Sequence, residues 1–438
     1  MKRILFLIID IALIYGSIIF AFYILGINEM LNDFEKNFAA FKIIYPFIGI
    51  LYLVLMYVFG LYTIYNKTLV DLIYTVFLIS ISLMISIMGI CFLVRDVAMA
   101  FPRSVIIISA LLYFILLSLR SLTHWYISNR LRILKKIIII GSDSDKVKKI
   151  IVNNYFKYYD VVGQYYEYNS SLSSKIKEVD EVFICSAVNS TIREKILPLC
   201  IKYNKEICYV PKYFDLSIIS STLYKTGDIP TFRINSMGLS PEESALKRFV
   251  DLFLGIIACV LCIPVLLILM ALIKLDGGPI FYSQERLTRG NRIFKMYKLR
   301  TMIPNAEKYS GPVLAEEKDN RITPVGRFMR ATRLDEIPQL FNIIYGDMSL
   351  VGPRPERPFF TEQFEKEIPE YIFRLKVKAG LTGLAQVEGK YNTSVEDKLR
   401  YDLIYINNYS LLRDFVIMIQ TVKILFQKES TQGVNCNG

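Results

Sequence analysis

Four apolar stretches open the chain, at residues 4–26, 43–65, 69–94 and 104–127, and each is close to the ~20 residues that an α-helix needs to cross a hydrocarbon core. They read as four transmembrane helices. The first is too long, and is followed by too many others, to be a cleaved signal peptide, so it reads as retained. Lys2 and Arg3 precede it, Arg130, Arg132, Lys135 and Lys136 follow the fourth, and the first loop carries Glu29, Asp33 and Glu35. The positive-inside rule therefore puts both ends of this unit on the cytoplasmic side. Composition agrees: 53% of the 438 residues are hydrophobic and the mean hydropathy is +0.38. The net charge of +12 suits anionic headgroups, phosphorylated ligands or nucleic acid, and does not choose among them.

After residue 133 the pattern changes to short β-rich runs, at 137–140, 160–166, 181–186 and 206–210, with helical segments around Lys146 and Arg193. This alternation predicts a small parallel α/β domain. Its first strand runs into Gly141-Ser142-Asp143-Ser144, one glycine where a dinucleotide fingerprint wants three, so the domain is expected to keep the fold without the cofactor. A fifth apolar run covers 249–273, after Lys247-Arg248 and before Lys274, with Pro264 inside it. Pro264 removes a backbone hydrogen bond, so this helix either bends and returns to the face it entered from or crosses with a mild kink. The apolar segment 411–426 is expected along the membrane interface.

A single histidine, His124, excludes Ser-His-Asp catalysis and His-rich metal sites, and the seven cysteines lack zinc-type spacing. Chemistry must run on carboxylates, Lys, Arg, Tyr or Cys. Arg286, Arg289, Arg292, Lys295 and Lys298 recur every three residues and lead into Arg300, interleaved with Phe281, Tyr282, Phe294 and Tyr297. Such a run fits a solvated or headgroup-facing surface; a nucleic-acid face would not adjoin a membrane segment. Arg330 and Arg333 precede Asp335-Glu336, and Pro338 places the acids at or beside a helix N-terminus, whose dipole favours phosphate and keeps carboxylates ionised. The pair suits a phosphoryl nucleophile beside a Mg²⁺ ligand; it equally suits a helix start that only complements the dipole. Gly352-Pro353-Arg354-Pro355 stiffens the backbone around an arginine that can face phosphate or plain solvent. The glycines of Gly380-Leu381-Thr382-Gly383 admit either a ligand or a tight turn.

From Leu334-Asp335-Glu336-Ile337-Pro338-Gln339-Leu340 through Gly346-Asp347-Met348-Ser349-Leu350-Val351-Gly352-Pro353-Arg354-Pro355, the chain resembles the bacterial sugar transferase family, the monotopic phosphoglycosyl transferases acting on polyprenyl phosphates. The resemblance covers about residues 245–426 and, with the preceding helices, is to the large form of that family. It implies an enzyme of the bacterial inner membrane, multi-pass, with its catalytic domain on the cytoplasmic face. That enzyme transfers a sugar 1-phosphate from a UDP-sugar to undecaprenyl phosphate and releases UMP, the first membrane step of surface polysaccharide assembly. Asp335 is implied as the nucleophile that forms a phospho-enzyme, and Glu336, with Asp335, as the Mg²⁺ ligand. Lys298, Arg300, Arg330 and Arg354 are implied to bind substrate phosphates. Lys247, Arg248 and Asp251 open a re-entrant helix, and Pro264 falls where its break is expected.

The expected architecture is thus a membrane α-helical bundle (1–130), an α/β, Rossmann-like cytoplasmic domain (131–238) and an α-rich α+β catalytic domain (239–438) with a re-entrant membrane helix at about 246–275. Membrane lipids are expected partners, nucleic acid is not, and there is room for a homodimer. Ala379 stands where the family commonly has proline and Asn291 where glycine is frequent, so sugar identity is not carried over. A nucleotide-sugar dehydratase or epimerase would need a glycine-rich cofactor turn and a Tyr-x-x-x-Lys pair, and neither is present. A lipid-binding scaffold would tolerate loss of both acids.

Overall fold

The computed structural model describes residues 2–27, 34–61, 69–93, 102–130, 134–155, 158–168, 170–219, 221–234, 237–275, 277–303, 321–389 and 393–425. The chain forms two compact units, Met1–Val210 and Pro211–Gly438.

The first unit opens with α1 (Lys2–Ile27), α2 (Phe34–Val58), α3 (Leu69–Leu93) and α4 (Arg103–Arg130). All four are long and apolar enough to cross a membrane. The second starts and ends earlier than its apolar stretch suggests. It begins at Phe34 because Phe34, Phe38 and Phe41 pack around Phe22 of α1, and it stops before Gly60, whose left-handed φ of 61° ends a helix as few other residues can. Charged side chains this deep in an apolar bundle need partners. Asp10 is fully buried and paired with Arg120 of α4, and the Tyr52 hydroxyl donates to its Oδ2 at 2.8 Å, so one ion pair ties α1, α2 and α4.

The same unit holds a four-stranded parallel sheet, β1 (Lys135–Ile140), β2 (Tyr159–Tyr165), β3 (Glu181–Ile184) and β4 (Glu206–Tyr209), in the order β2-β1-β3-β4. Ile137 to Ile140 are all buried, as expected of an inner parallel strand covered on both faces. Helices α5 (Ser144–Tyr155), α6 (Ser170–Glu178) and α7 (Ser190–Lys202) connect the strands. The serine-rich α6 has weak helix propensity and was not expected; it forms because Leu172 and Ile176, four residues apart, both bury into the core. Gly141 (φ 133°) ends β1, and a Cβ there would lie 2.7 Å from Cys185 Cβ and 2.9 Å from Val188 Cγ2. The space beside this glycine is filled by the protein's own side chains.

The second unit starts with α8 (Tyr213–Ile219), which buries Leu216 in its main core and is tied to later residues by Asn407 Nδ2 donating to the Leu216 carbonyl at 3.2 Å. After an exposed hairpin of β5 (Thr222–Thr226) and β6 (Ile229–Arg233) comes α9 (Pro241–Leu275), which stays helical through Pro264. A second hairpin pairs β7 (Phe281–Thr288) with β8 (Arg292–Leu299). Its turn carries Gly290 (φ 71°) and Asn291 (φ 61°), consecutive left-handed residues, which is why glycine or asparagine is wanted at both. Then follow α10 (Pro324–Thr332), a 3₁₀ turn at Leu334–Glu336, α11 (Gln339–Tyr345), β9 (Met348–Val351), α12 (Pro358–Glu367), β10 (Ala379–Thr382), α13 (Leu384–Glu388), α14 (Val395–Asn407) and α15 (Leu411–Leu425).

Helix α9 is fastened to this unit near both ends. Lys247 pairs with buried Asp414 of α15, Arg248 donates to the carbonyls of Ile343 (2.6 Å) and Ile344 (2.7 Å) at the end of α11, and Asp251 Oδ1 accepts from Leu350 N of β9 at 3.0 Å. Beyond Pro264, Leu266, Leu269 and Ile273 pack with Leu299 and Met329. The opposite face, including Phe253, Val260, Leu261, Leu267 and Ile268, is apolar and exposed.

Candidate active site

The acid pair lies in a tight bend. Arg333 adopts a left-handed φ of 56° at the end of α10, and the chain turns through the 3₁₀ residues Leu334–Glu336 before Pro338 starts α11. The pair is beside a helix N-terminus, as Pro338 suggested, but α11 has only seven residues, and side chains rather than its dipole set the charge state of the acids. Lys298 Nζ donates to Glu336 Oε1 at 2.8 Å and Arg354 Nη2 to the same oxygen at 3.1 Å. Burial opposes ionisation of Glu336, yet Lys298, Arg354 and Arg333 together hold its carboxyl well below the usual carboxylate range. Asp335 is the reverse case: burial, and then the charge of Glu336, push it up to about 6 against Lys298, Arg330 and Arg354. Asp335 is 8% exposed, and none of the described residues donates a hydrogen bond to it.

Each cation is delivered by a specific contact. Lys298 sits on β8, which buried Asn342 of α11 pins one residue earlier: its Oδ1 accepts from Tyr297 N (3.1 Å) and its Nδ2 donates to the Lys295 carbonyl (2.8 Å). The helix that follows the acids therefore holds the strand that carries the lysine. Arg354 comes from the loop after β9, which is locked to β10 by Gly352 N to the Thr382 carbonyl (2.8 Å) and Gly380 N to the Pro353 carbonyl (2.9 Å). Cβ atoms at Gly380 and Gly383 would lie 2.1 Å from Gly352 N and 2.2 Å from Gly352 O. These glycines serve backbone packing beneath the arginine loop rather than a ligand's approach.

The bacterial sugar transferase family model matches residues 242–428. A protein of Bacillus subtilis (strain 168), provisionally named an undecaprenyl-phosphate N-acetylgalactosaminyl 1-phosphate transferase, is 47% identical over 147 residues, 33% of this chain and 82% of that relative. This chain belongs to the bacterial sugar transferase family. The UDP-N-acetylgalactosamine-undecaprenyl-phosphate N-acetylgalactosaminephosphotransferase of Aeromonas hydrophila is 39% identical over 226 residues, 50% of this chain and 53% of that protein. The UDP-glucose:undecaprenyl-phosphate glucose-1-phosphate transferase of Klebsiella pneumoniae is 34% identical over 224 residues, 49% of this chain and 48% of that protein. The match thus spans about half the length of these two larger relatives. The family match at 242–428 takes in every residue of the acid-pair site of this sugar transferase.

Of the residues read from the sequence, Glu336, Lys298 and Arg354 meet through hydrogen bonds, and Lys298, Arg330 and Arg354 act on neighbouring Asp335 through their charge. Arg300 does not join them. It is buried, and its Nη2 donates to the carbonyls of Ile273 (3.2 Å) and Gly277, so it caps the end of α9 and bonds to neither acid. Lys247, Arg248 and Asp251 are the anchors of α9 already described. Arg333 was not singled out as a site residue, although its charge acts on both acids. Its only sequence signal was the three-residue spacing from Arg330.

Proposed function

We propose that this sugar transferase moves a sugar 1-phosphate from a UDP-sugar to undecaprenyl phosphate, releasing UMP, at the cytoplasmic face of the bacterial inner membrane. The observation that carries the reading is Asp335, a buried carboxylate to which no described residue donates a hydrogen bond, beside a glutamate that gathers two cations. A structural carboxylate would be hydrogen-bonded; a nucleophile has to keep its lone pairs free. An ionised Asp335 oxygen attacks the sugar-bound phosphorus, and the P–O bond to UMP breaks with its electron pair leaving on UMP. A phosphate oxygen of undecaprenyl phosphate then attacks the same phosphorus and releases the Asp335 carboxylate. Lys298, Arg330 and Arg354 lie where they can offset the phosphate charge that builds during both steps.

The acids also suit Mg²⁺, which takes one or two carboxylates and completes its shell with substrate oxygens and water. Glu336 Oε2 and both Asp335 oxygens have no donors among the described residues, which leaves them open to a cation. When bound there, Mg²⁺ would neutralise part of the diphosphate charge. The relatives named above act on different sugars, so the donor is proposed only as a UDP-sugar. The parallel sheet of the first unit we read as a Rossmann-like domain that no longer holds a nucleotide, on the strength of Cys185 and Val188 filling the space at Gly141.

Purified protein with Mg²⁺, undecaprenyl phosphate and a panel of UDP-N-acetylgalactosamine, UDP-glucose and UDP-galactose should release UMP with at least one donor. Asp335→Asn should cut turnover by at least about a thousandfold and abolish the sugar-phosphate mass adduct on the protein. Glu336→Gln should lower the rate and raise the Mg²⁺ concentration needed for half-maximal activity. Full turnover by Asp335→Asn would sink the covalent reading.

A further inference from the structure

Besides the Lys247–Asp414 pair that anchors α9, the second unit contains a buried charged cluster that the proposed chemistry does not use. Arg374, in the 3₁₀ segment Pro369–Lys376, is 5% exposed, and Asp402 of α14 is 2% exposed. Their Nη2 and Oδ2 atoms lie 2.8 Å apart, and Arg374 Nη1 donates to the buried Tyr371 hydroxyl. An ion pair this deep is costly to desolvate and is a weak source of stability, so the use to which its geometry is put is the more telling feature. Arg374 Nη2 also donates to the backbone carbonyl of Arg354 at 2.9 Å. Arg354 is the residue whose side chain reaches Glu336 Oε1 at 3.1 Å.

We infer that Arg374, held by Asp402 and Tyr371, is a positioning residue that fixes the backbone of Arg354 so that its guanidinium meets Glu336 and the substrate phosphates. The inference rests on the phosphoryl-transfer reading above. Further along, the loop is held at Glu356, whose carbonyl accepts from Leu287 N at 3.1 Å, and two features leave Arg354 itself to the clamp. The prolines on either side of Arg354 supply no N–H, so neither neighbour can donate a backbone hydrogen bond to hold the loop. The β10 contacts reach only Gly352 and Pro353, and the Arg354 carbonyl is the next acceptor along the chain. A guanidinium is suited to the task because its planar fork can face the Arg354 carbonyl, Asp402 and the Tyr371 hydroxyl together; a lysine presents a single point of charge on a flexible stem.

A double-mutant cycle between the clamp and the arginine it positions tests this. UMP release in a single turnover and KM for the UDP-sugar are measured for Arg374→Lys and Asp402→Asn, alone and combined with Arg354→Ala, with thermal unfolding followed for each. In the wild-type background either clamp variant should slow UMP release by about 10²-fold, the scale of a small misplacement of a reacting group, with a much smaller change in KM. In the Arg354→Ala background the same substitutions should slow it by less than about twofold further, while lowering the unfolding temperature as much as before. Equal losses of rate in both backgrounds would overturn the clamp and leave a packing role. Should Arg374→Lys fail to fold, Asp402→Asn and Tyr371→Phe carry the same comparison. The Asp335→Asn control separates the two ideas: an active Asp335→Asn overturns the covalent reading itself, whereas additivity with an inactive Asp335→Asn removes only the clamp.

Discussion

At the scale of single residues, the two departures from the family pattern have opposite explanations. Asn291 occupies a left-handed position (φ 61°) in the β7–β8 turn, one of the conformations that asparagine tolerates better than most residues. Asn291→Gly should therefore leave the unfolding temperature unchanged or slightly higher, whereas Asn291→Ala should cost about 1–2 kcal/mol, read from thermal melts of the purified protein. Ala379 instead uses what a proline lacks. Its N–H donates to Thr288 Oγ1 at 3.2 Å, and that hydroxyl donates onward to the Asp347 carbonyl at 2.8 Å, linking β10 to the end of β7 and the turn before β9. The sequence marked Asn291 only as a departure, though the turn that explains it is local. The role of Ala379 was hidden because its partner Thr288 lies far away in the chain.

Among the elements, the same distinction separates what could be read from what could not. The four strands of the parallel sheet were legible from local β-rich runs, and α1, α3 and α4 from hydropathy, each within a few residues of its observed limits. The glycines of β10 left two readings open, because the strand beside them is set by a parallel pairing with β9 about thirty residues earlier. With the pairing known, Gly380 has no room for a side chain: its Cβ would sit 2.1 Å from Gly352 N. Gly380→Ala must push β9 and β10 apart at the base of the Arg354 loop. It should lower stability by roughly 1–3 kcal/mol or more, the range of overpacking at a site that cannot relax. It should also depress UMP release at temperatures where the protein remains folded. Arg300, which the resemblance implied as a phosphate binder, bonds to the carbonyls of Ile273 and Gly277 and to neither acid; the strand ends at Leu299, so the alternation that would put it on the face of Lys298 does not extend to it.

For the molecule as a whole, the open question in the sequence was whether the fifth apolar run crosses the membrane, and the attachments of α9 bear on it. Its 35 residues would reach about 52 Å if straight, against a hydrocarbon core of about 30 Å. A spanning helix would leave its two ends on opposite sides of that core. Yet Lys247 is paired with Asp414 near one end, and the carbonyls of Ile273 and Gly277 are held by Arg300 near the other, all within one folded unit. For α9 to span, that unit would have to carry buried ion pairs and the acid-pair site through lipid, at a cost of several kcal/mol for each ion. Entry and return on one face avoid this cost and let the exposed apolar face around Val260 and Leu261 sit in hydrocarbon. With all seven native cysteines replaced by alanine, single cysteines at Glu242 and Ser283, both exposed and one on each side of Pro264, should react with a membrane-impermeant maleimide from the cytoplasmic side only. Labelling of the two from opposite sides would reject re-entry and would place the residues after α9, Asp335 among them, away from cytoplasmic nucleotide sugars.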